Sequence, residues 1–105
     1  MTAKELSEAI KAAAAEYAKA AAEQRLGELE QLAAPERGAI GDADGRALLQ
    51  PLLSARWFDL AARLGAALRA GGITSSSFTR RWAQALIENR ELSKARQILD
   101  RKSVV

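Results

Sequence analysis

The sequence predicts an all-α fold, and three observations lead to this prediction. Apolar residues recur at helical spacing along most of the chain. Residues 1–34 consist mainly of alanine, glutamate, lysine, glutamine and leucine, all strong helix formers. Between residues 46 and 101 the apolar pattern repeats at a constant interval, so that Leu48, Leu52 and Leu53 recur as Trp82, Leu86 and Ile87. A repeat period of about 34 residues is typical of proteins built from stacked helical units.

The composition excludes several classes of chemistry. The 105 residues include 16 basic and 13 acidic side chains, and neither cysteine nor histidine is present. Without these two residue types the chain lacks disulfides, thiolate nucleophiles, the commonest general base near neutral pH and most transition-metal ligands. We therefore expect no enzyme activity and no cofactor. No stretch resembles a secretion signal or a membrane span, so we expect a cytoplasmic protein without a membrane partner.

Residues 1–34 are predicted to form one long alanine-rich helix. Thr2 and Glu5 have the spacing of a capping box at its start, and Pro35 follows its end. Two apolar stripes lie along this helix, namely Leu6, Ile10, Ala13 and Tyr17, and then Leu26, Leu29 and Leu32. A straight helix cannot turn both stripes to one partner, so we expect a bend at Gly27 or two different partners for the two halves.

Residues 35–45 are predicted to be a linker, because four of them are glycine or proline and few are apolar. The run DADG at 42–45 is faintly similar to a calcium-binding loop, but Pro51 stands where such a loop needs a bidentate glutamate. We expect Asp42 or Asp44 to cap the next helix instead.

Residues 46–105 are predicted to form two antiparallel helical hairpins. Four helices are expected, at about 45–56, 57–70, 78–89 and 92–101. Pro51 leaves two possibilities open for the first of them, because proline removes a helical hydrogen bond. Either that helix is kinked near its start, or its regular part begins with Gln50 as the cap and Pro51 in the first turn.

The two hairpins share a pattern of large and small residues, namely Leu48, Leu52, Phe58 and Ala61 in one copy, and Trp82, Ala83, Leu86, Leu92, Ala95 and Leu99 in the other. In this pattern they resemble tetratricopeptide repeats. The departures from the family pattern are Leu49, Gly65, Leu68 and Lys102. The resemblance implies a non-enzymatic module whose groove binds a protein or peptide. No third copy is expected upstream, because residues 14–30 show no hairpin break at the required place.

The same resemblance assigns candidate groove residues. They are Arg46, Gln50, Leu53, Arg80, Arg81, Gln84 and Ile87. Both copies place an arginine four residues before a glutamine, as in Arg46 and Gln50, so the two side chains of each pair share one helix face. An arginine fork beside an amide suits a carboxylate. The expected ligand is therefore an acidic segment or a C-terminal carboxylate of a protein or peptide.

Alternatives stay open at this stage. Surface arginine and glutamine side chains often do no more than face water. A stacked array also usually needs about three units. Two units therefore imply either a piece of a longer protein or a structural element that forms a homo-oligomer. Self-association would use the alanine-rich helix and the apolar end around Ile98, Leu99, Val104 and Val105.

Nucleic acid is not the expected partner. The basic residues near the C-terminus are Arg80, Arg81, Arg90, Lys94, Arg96, Arg101 and Lys102. Glu88, Glu91 and Asp100 interleave with them, which makes a mixed surface rather than a basic patch. Of the two tryptophans, Trp82 is expected in the core and Trp57 at the surface.

Overall fold

The computed structural model describes residues 2–100, and every regular element in that range is a helix. The helices are α1 (Ala3–Ala15), α2 (Lys19–Gln31), α3 (Ala34–Arg37), α4 (Asp42–Ser54), α5 (Phe58–Ala70), α6 (Ser76–Glu88) and α7 (Leu92–Asp100). The predicted all-α class is therefore confirmed. Arg101, Lys102, Val104 and Val105, which enter the predictions above, lie outside the described residues.

Six of these helices pair into three hairpins, which we call the first (α1–α2), second (α4–α5) and third (α6–α7) hairpin. The hairpins stack side by side. Along one side α1 packs on α4 and α4 packs on α6, while α2 packs on α5 and α5 packs on α6. The single turn α3 lies against α5. We refer to α1, α4 and α6 as the first helices.

One type of turn closes all three hairpins. Tyr17, Arg56 and Arg90 adopt left-handed backbone conformations, with φ angles of 55°, 61° and 64°. The amide that follows each of them donates to a carbonyl five positions back; these bonds are Ala18 to Ala13 at 2.8 Å, Trp57 to Leu52 at 2.9 Å and Glu91 to Leu86 at 2.8 Å. This is the Schellman arrangement, in which the left-handed position is usually glycine.

The helix that follows each turn also has an equivalent packing position. Ala22, Ala61 and Ala95 each lie five residues after the left-handed residue, and their exposed fractions are 1%, 0% and 2%. A methyl group at this place lets two helices approach closely. The three hairpins therefore share both their turn and a buried alanine at the equivalent position of the helix that follows it.

The predicted single helix over residues 1–34 is wrong, because the chain turns at residues 16–18 and forms α1 and α2. The turn buries Leu26 and Leu29 at 1% and 0% exposure. Burying each leucine is worth about 1.5–3 kcal/mol, which outweighs the roughly 1–2 kcal/mol cost of a left-handed residue at Tyr17. Gly27, where a bend was predicted, lies inside α2 in open space.

The expectation that residues 14–30 contain no hairpin break is also wrong, because the chain turns at Tyr17. The interval from Tyr17 to Arg56 is longer than the interval from Arg56 to Arg90. The difference arises in the connections, since ten residues separate α2 from α4 but only five separate α5 from α6. A search at the one interval that relates the second and third hairpins therefore passes over the first hairpin.

The predicted linker over 35–45 is partly helical. It contains most of α3, and α4 begins within it, with Gly41 as the N-cap and Asp42 as the first helical residue. Neither Asp42 nor Asp44 is therefore the cap, and both carboxylates lie in the first turn, where the helix dipole favours them. Arg37 turns back to α2, where its guanidinium donates to the Glu30 carbonyl at 3.1 Å.

Pro51 lies inside α4, which continues through it to Ser54. The interpretation in which the regular helix begins at Gln50 is therefore wrong. Proline deprives the carbonyl of Ala47 of its usual helical partner. Ala47 is exposed, so water can bond to this carbonyl.

Trp82 links the second and third hairpins. Its indole lies directly over Gly65, where an added Cβ would come within 2.1 Å of the Trp82 Cδ1 atom. The indole Nε1–H donates to the Ala62 carbonyl at 3.1 Å, and the Phe78 ring centroid is 6.1 Å away. Trp82 thus packs against the core, as expected. Trp57 is also half-buried against the core, so its predicted surface position is wrong.

Candidate functional site

The candidate residues lie on matching faces of α4 and α6. On α4 the buried side is formed by Gly45, Leu48, Leu49 and Leu52. Arg46, Gln50 and Leu53 lie beside this side at helical spacing and are exposed or half-exposed. On α6, Arg80, Gln84 and Ile87 form the equivalent exposed strip. The structure thus gives the two copies equivalent outward faces.

Arg46 and Arg81 already have partners within the chain. Arg46 Nε lies 3.3 Å from the Asp42 carboxylate, one turn earlier on α4. The Arg81 guanidinium donates to the side-chain carbonyl of Gln50 and so joins α6 to α4. Gln50 in turn donates to the Ser54 hydroxyl at 3.4 Å. These contacts hold the two faces in register, and they occupy part of the predicted carboxylate site.

Arg80 differs from both of these arginines. It is exposed on α6, and its guanidinium has no ion pair or hydrogen bond within residues 2–100. Arg56 and Arg90, at the turns of the second and third hairpins, share this property. The other arginines of that range each have at least one partner. Arg80 and Arg56 are therefore available to an acidic ligand near the α4 and α6 faces.

A cavity of about 320 Å³ lies between α4 and α6. Its lining residues are Leu53, Ser54, Arg56, Phe58, Gln84 and Glu88. A second cavity of about 230 Å³ lies between α1 and α4. Its lining residues are Lys11, Ala14, Ala15, Tyr17, Pro51, Ser54 and Ala55. We call them the α4–α6 cavity and the α1–α4 cavity.

Ser54 lines both cavities, so they are neighbours on the surface of α1, α4 and α6, and we call the two together the first-helix groove. Of the predicted residues, the structure brings Leu53 and Gln84 together in this groove and joins Gln50 to Arg81 beside it. Arg46, Arg80 and Ile87 do not line either cavity. They lie on the faces from which the groove opens.

Sequence reasoning missed the part of the groove that comes from the first hairpin and from the turns. Arg56 and Phe58 line the α4–α6 cavity because the turn after α4 brings them back beside α6. Tyr17 lines the α1–α4 cavity because the equivalent turn after α1 exposes it. The change of apolar stripe between Tyr17 and Leu26 was the available signal for that turn.

On the opposite side, a cavity of about 320 Å³ lies among α2, α5, α6 and α7. Each carboxylate in its lining forms an ion pair. These pairs are Glu30 with Arg63 at 2.5 Å, Asp59 with Lys19 at 3.4 Å and Glu91 with Lys94 at 3.1 Å. A hydrogen bond from Asn89, and then one from Lys94, lowers the pKa of Glu91. The carboxylates of this cavity are thus all paired, whereas Arg56 in the groove has no partner among residues 2–100.

Comparisons of the chain with protein-family models, with curated proteins and with solved structures find no match in any of the three. Among the helices of residues 2–100, none has the length and hydrophobicity required to cross a bilayer. The same residues contain no cluster of acidic side chains that could hold a metal ion. The function is therefore inferred from the groove.

Proposed function

We propose that this chain is a non-enzymatic module that binds an acidic peptide segment across its first helices. The observation that carries the proposal is the first-helix groove, whose two cavities lie next to each other at Ser54, one toward α1 and the other toward α6. Arg56 lies in the groove and Arg80 lies beside it, and both are exposed and have no partner among residues 2–100. A carboxylate would supply the acceptors that these guanidinium groups lack.

The groove contains both components of a peptide site. Leu53 and Phe58 provide half-buried apolar surface, and the amide of Gln84 provides a donor and an acceptor for a peptide backbone. Arg80 lies one turn before Gln84 on the same face of α6, so a ligand carboxylate can reach both. A C-terminal carboxylate and an acidic side chain offer the same acceptors, and both are included in the proposal.

We further propose that the hairpins are degenerate tetratricopeptide repeats. Support comes from the regular spacing of the second and third hairpins, from their shared turn and from the equivalent buried alanines. Three units also meet the usual minimum for a stacked array of about three. A cytoplasmic location belongs to the same proposal.

The test is an array of octapeptides probed with the purified chain. Acidic peptides with a free C-terminus are compared with the same peptides as C-terminal amides and with versions that carry Asn and Gln. We expect the acidic peptides to be retained, and affinity for the best of them to fall by about tenfold or more in the double variant Arg46→Ala with Arg80→Ala. Because Arg46 is paired with Asp42, Arg80→Ala should account for most of the loss.

The matched control is Arg96→Ala, which removes an exposed arginine from α7, outside the groove. It should leave peptide affinity unchanged. All variants should keep the melting temperature of the parent chain, since the altered residues lie outside the core. Equal retention of acidic, amidated and neutral peptides, or unchanged affinity in the double variant, would contradict the proposal.

A second candidate function is self-association, which the apolar surface of the third hairpin favours. Leu92 is 59% exposed and Leu99 is 45% exposed on α7. The alanine-rich segment contributes less than predicted, because Ala13, Ala14 and Ala22 are buried within the chain itself. Sedimentation equilibrium over a hundredfold range of concentration distinguishes the two candidates. A stable dimer favours self-association, and a monomer throughout the range excludes it.

A further inference from the structure

The α1–α4 cavity has a different chemical character from the α4–α6 cavity. Its walls include the small side chains Ala14, Ala15 and Ala55, together with Pro51 and Tyr17. The one charged residue in its lining is Lys11, whose ammonium lies 3.7 Å from Glu8. Its volume of about 230 Å³ exceeds the roughly 150 Å³ that admits a benzene molecule. The cavity therefore suits an apolar side chain.

Tyr17 forms the wall of this cavity at a cost to the backbone. Its φ of 55° lies in the left-handed region, where glycine is the least strained residue and a bulky side chain is unusual. The burial of Leu26 and Leu29 offsets this cost, but the turn does not require an aromatic residue, since Arg56 and Arg90 hold the equivalent positions. The Tyr17 ring is 75% exposed and lines an apolar cavity, so it is placed to contact a bound apolar side chain.

We infer that the α1–α4 cavity receives an apolar side chain of the acidic peptide, and that Tyr17 covers it. This inference rests on the proposed function and specifies the ligand more closely. The peptide is extended and crosses the first helices in order, with an acidic residue at the α4–α6 cavity and an apolar residue at the α1–α4 cavity. Ser54 lies at the boundary that the peptide backbone crosses.

The spacing of the two peptide residues follows from the packing of the helices. Packed helix axes are about 8–10 Å apart, and an extended chain rises about 3.3 Å per residue. The acidic and apolar residues should therefore stand about three positions apart. In the α4–α6 cavity the guanidinium of Arg56 donates to the carboxylate of the acidic residue, while the negative charge of Glu88 in the same lining repels it.

Ligand spacing is tested with fluorescein-labelled ten-residue peptides of Gly and Ser that contain a pair of aspartates and one leucine. The leucine is placed one to five positions from the pair, in both orders. Fluorescence anisotropy should give the tightest binding at a spacing of about three, about tenfold tighter than the same peptide with serine in place of leucine. Glu88→Gln should strengthen binding of every aspartate peptide.

The role of Tyr17 is tested with Tyr17→Gly, and Arg90→Gly is the matched control. Both changes relieve a left-handed residue at the same type of turn, so the melting temperature should stay equal or rise in both. Tyr17→Gly should weaken binding of the leucine peptide by about fivefold and leave the serine peptide unchanged. Arg90→Gly, whose turn does not line either cavity, should bind both peptides as the parent chain does.

The outcomes separate this inference from the function on which it rests. If aspartate peptides bind at Arg56 and Arg80 but leucine at any spacing adds nothing, the inference is wrong and the proposed function stands. Unchanged leucine affinity in Tyr17→Gly also overturns it. If no aspartate peptide binds, both fail.

Discussion

The interfaces on the two sides of the second hairpin are built differently. Toward the first hairpin, α2 packs on α5, the flexible side chains Leu26 and Leu29 of α2 are buried in the common core, and the rim carries two exposed ion pairs. Toward the third hairpin, the rigid indole of Trp82 lies on the bare backbone of Gly65. Leucines adjust to small changes in helix position, whereas a flat ring on a glycine fits only one arrangement.

The connections between the hairpins also differ. Five residues join the second hairpin to the third, where Trp82 packs on Gly65, whereas ten residues that include α3 join the first hairpin to the second. The stricter interface thus has the shorter, more regular connection. Variants on each side of the second hairpin should therefore fail in different ways, by loss of contacts toward the first hairpin and by overpacking toward the third.

The largest expected effect is at the leucine interface. Leu29→Ala removes a side chain that is 0% exposed and should lower the free energy of unfolding by about 2–5 kcal/mol. Leu92→Ala, at a leucine that is 59% exposed on α7, is the matched control and should change it by no more than about 0.5 kcal/mol. Urea denaturation measures both. Similar losses in the two variants would mean that Leu29 is not buried.

Overpacking is tested at the other interface by Gly65→Ala. The new methyl would meet the Trp82 ring, so we expect the free energy of unfolding to fall by about 1–3 kcal/mol despite the better helix propensity of alanine. Gly27→Ala is the control, since Gly27 also lies inside a second helix but in open space. The free energy of unfolding of Gly27→Ala, measured by heat or urea denaturation, should be about 0.5–1 kcal/mol higher than that of the parent chain. A gain in both variants would refute the contact between Gly65 and Trp82.

The ion pairs on the rim of the leucine interface should matter less. Arg63→Gln breaks the 2.5 Å contact with Glu30, whose side chain is 36% exposed. Exposed pairs contribute about 0.2–1 kcal/mol, and salt screens them. The free energies of unfolding of parent and variant, measured with urea, should therefore differ by that amount at low salt and become equal at high salt. A difference that persists at high salt would indicate lost packing instead.

The smallest expected effect is that of Glu91 on how the free energy of unfolding changes with pH under acidic conditions. Asn89 and Lys94 lower the pKa of Glu91 below its usual 4.5, so the stabilisation from this carboxylate is present above that pH. It is lost as the pH falls through the lowered pKa. The stabilities of parent chain and Glu91→Gln should therefore approach each other as the pH is lowered below that range. A gap that widens toward acid would contradict the assignment.

The second and third hairpins could be predicted because their packing positions recur at a fixed spacing, as Ala61 and Ala95 do. The first hairpin could not, because its turn lies outside that spacing and, like the other two turns, contains neither glycine nor proline. Local propensity favours a continuous alanine-rich helix there. What breaks it is the burial of Leu26 and Leu29 against the rest of the fold, which a local pattern does not contain.

In the candidate site, too, some residues could be predicted from the sequence and others could not. The repeat placed Leu53 and Gln84 on facing helices, and the structure puts both in the α4–α6 cavity. The ion pair between Asp42 and Arg46 was also readable, because the two residues have the spacing of one helical turn. The contribution of Arg56 was not readable, since it depends on how the turn brings that residue back toward α6.

A residue-resolved titration tests most directly whether the three first helices form one binding surface. The ¹⁵N-labelled chain is titrated with the tightest acidic octapeptide, and amide shift changes are mapped. We predict changes on all three first helices and their turns, including Lys11, Tyr17, Ser54, Arg56 and Gln84. Changes confined to the opposite cavity around Asp59 and Lys94, or none at saturating peptide, would contradict the account.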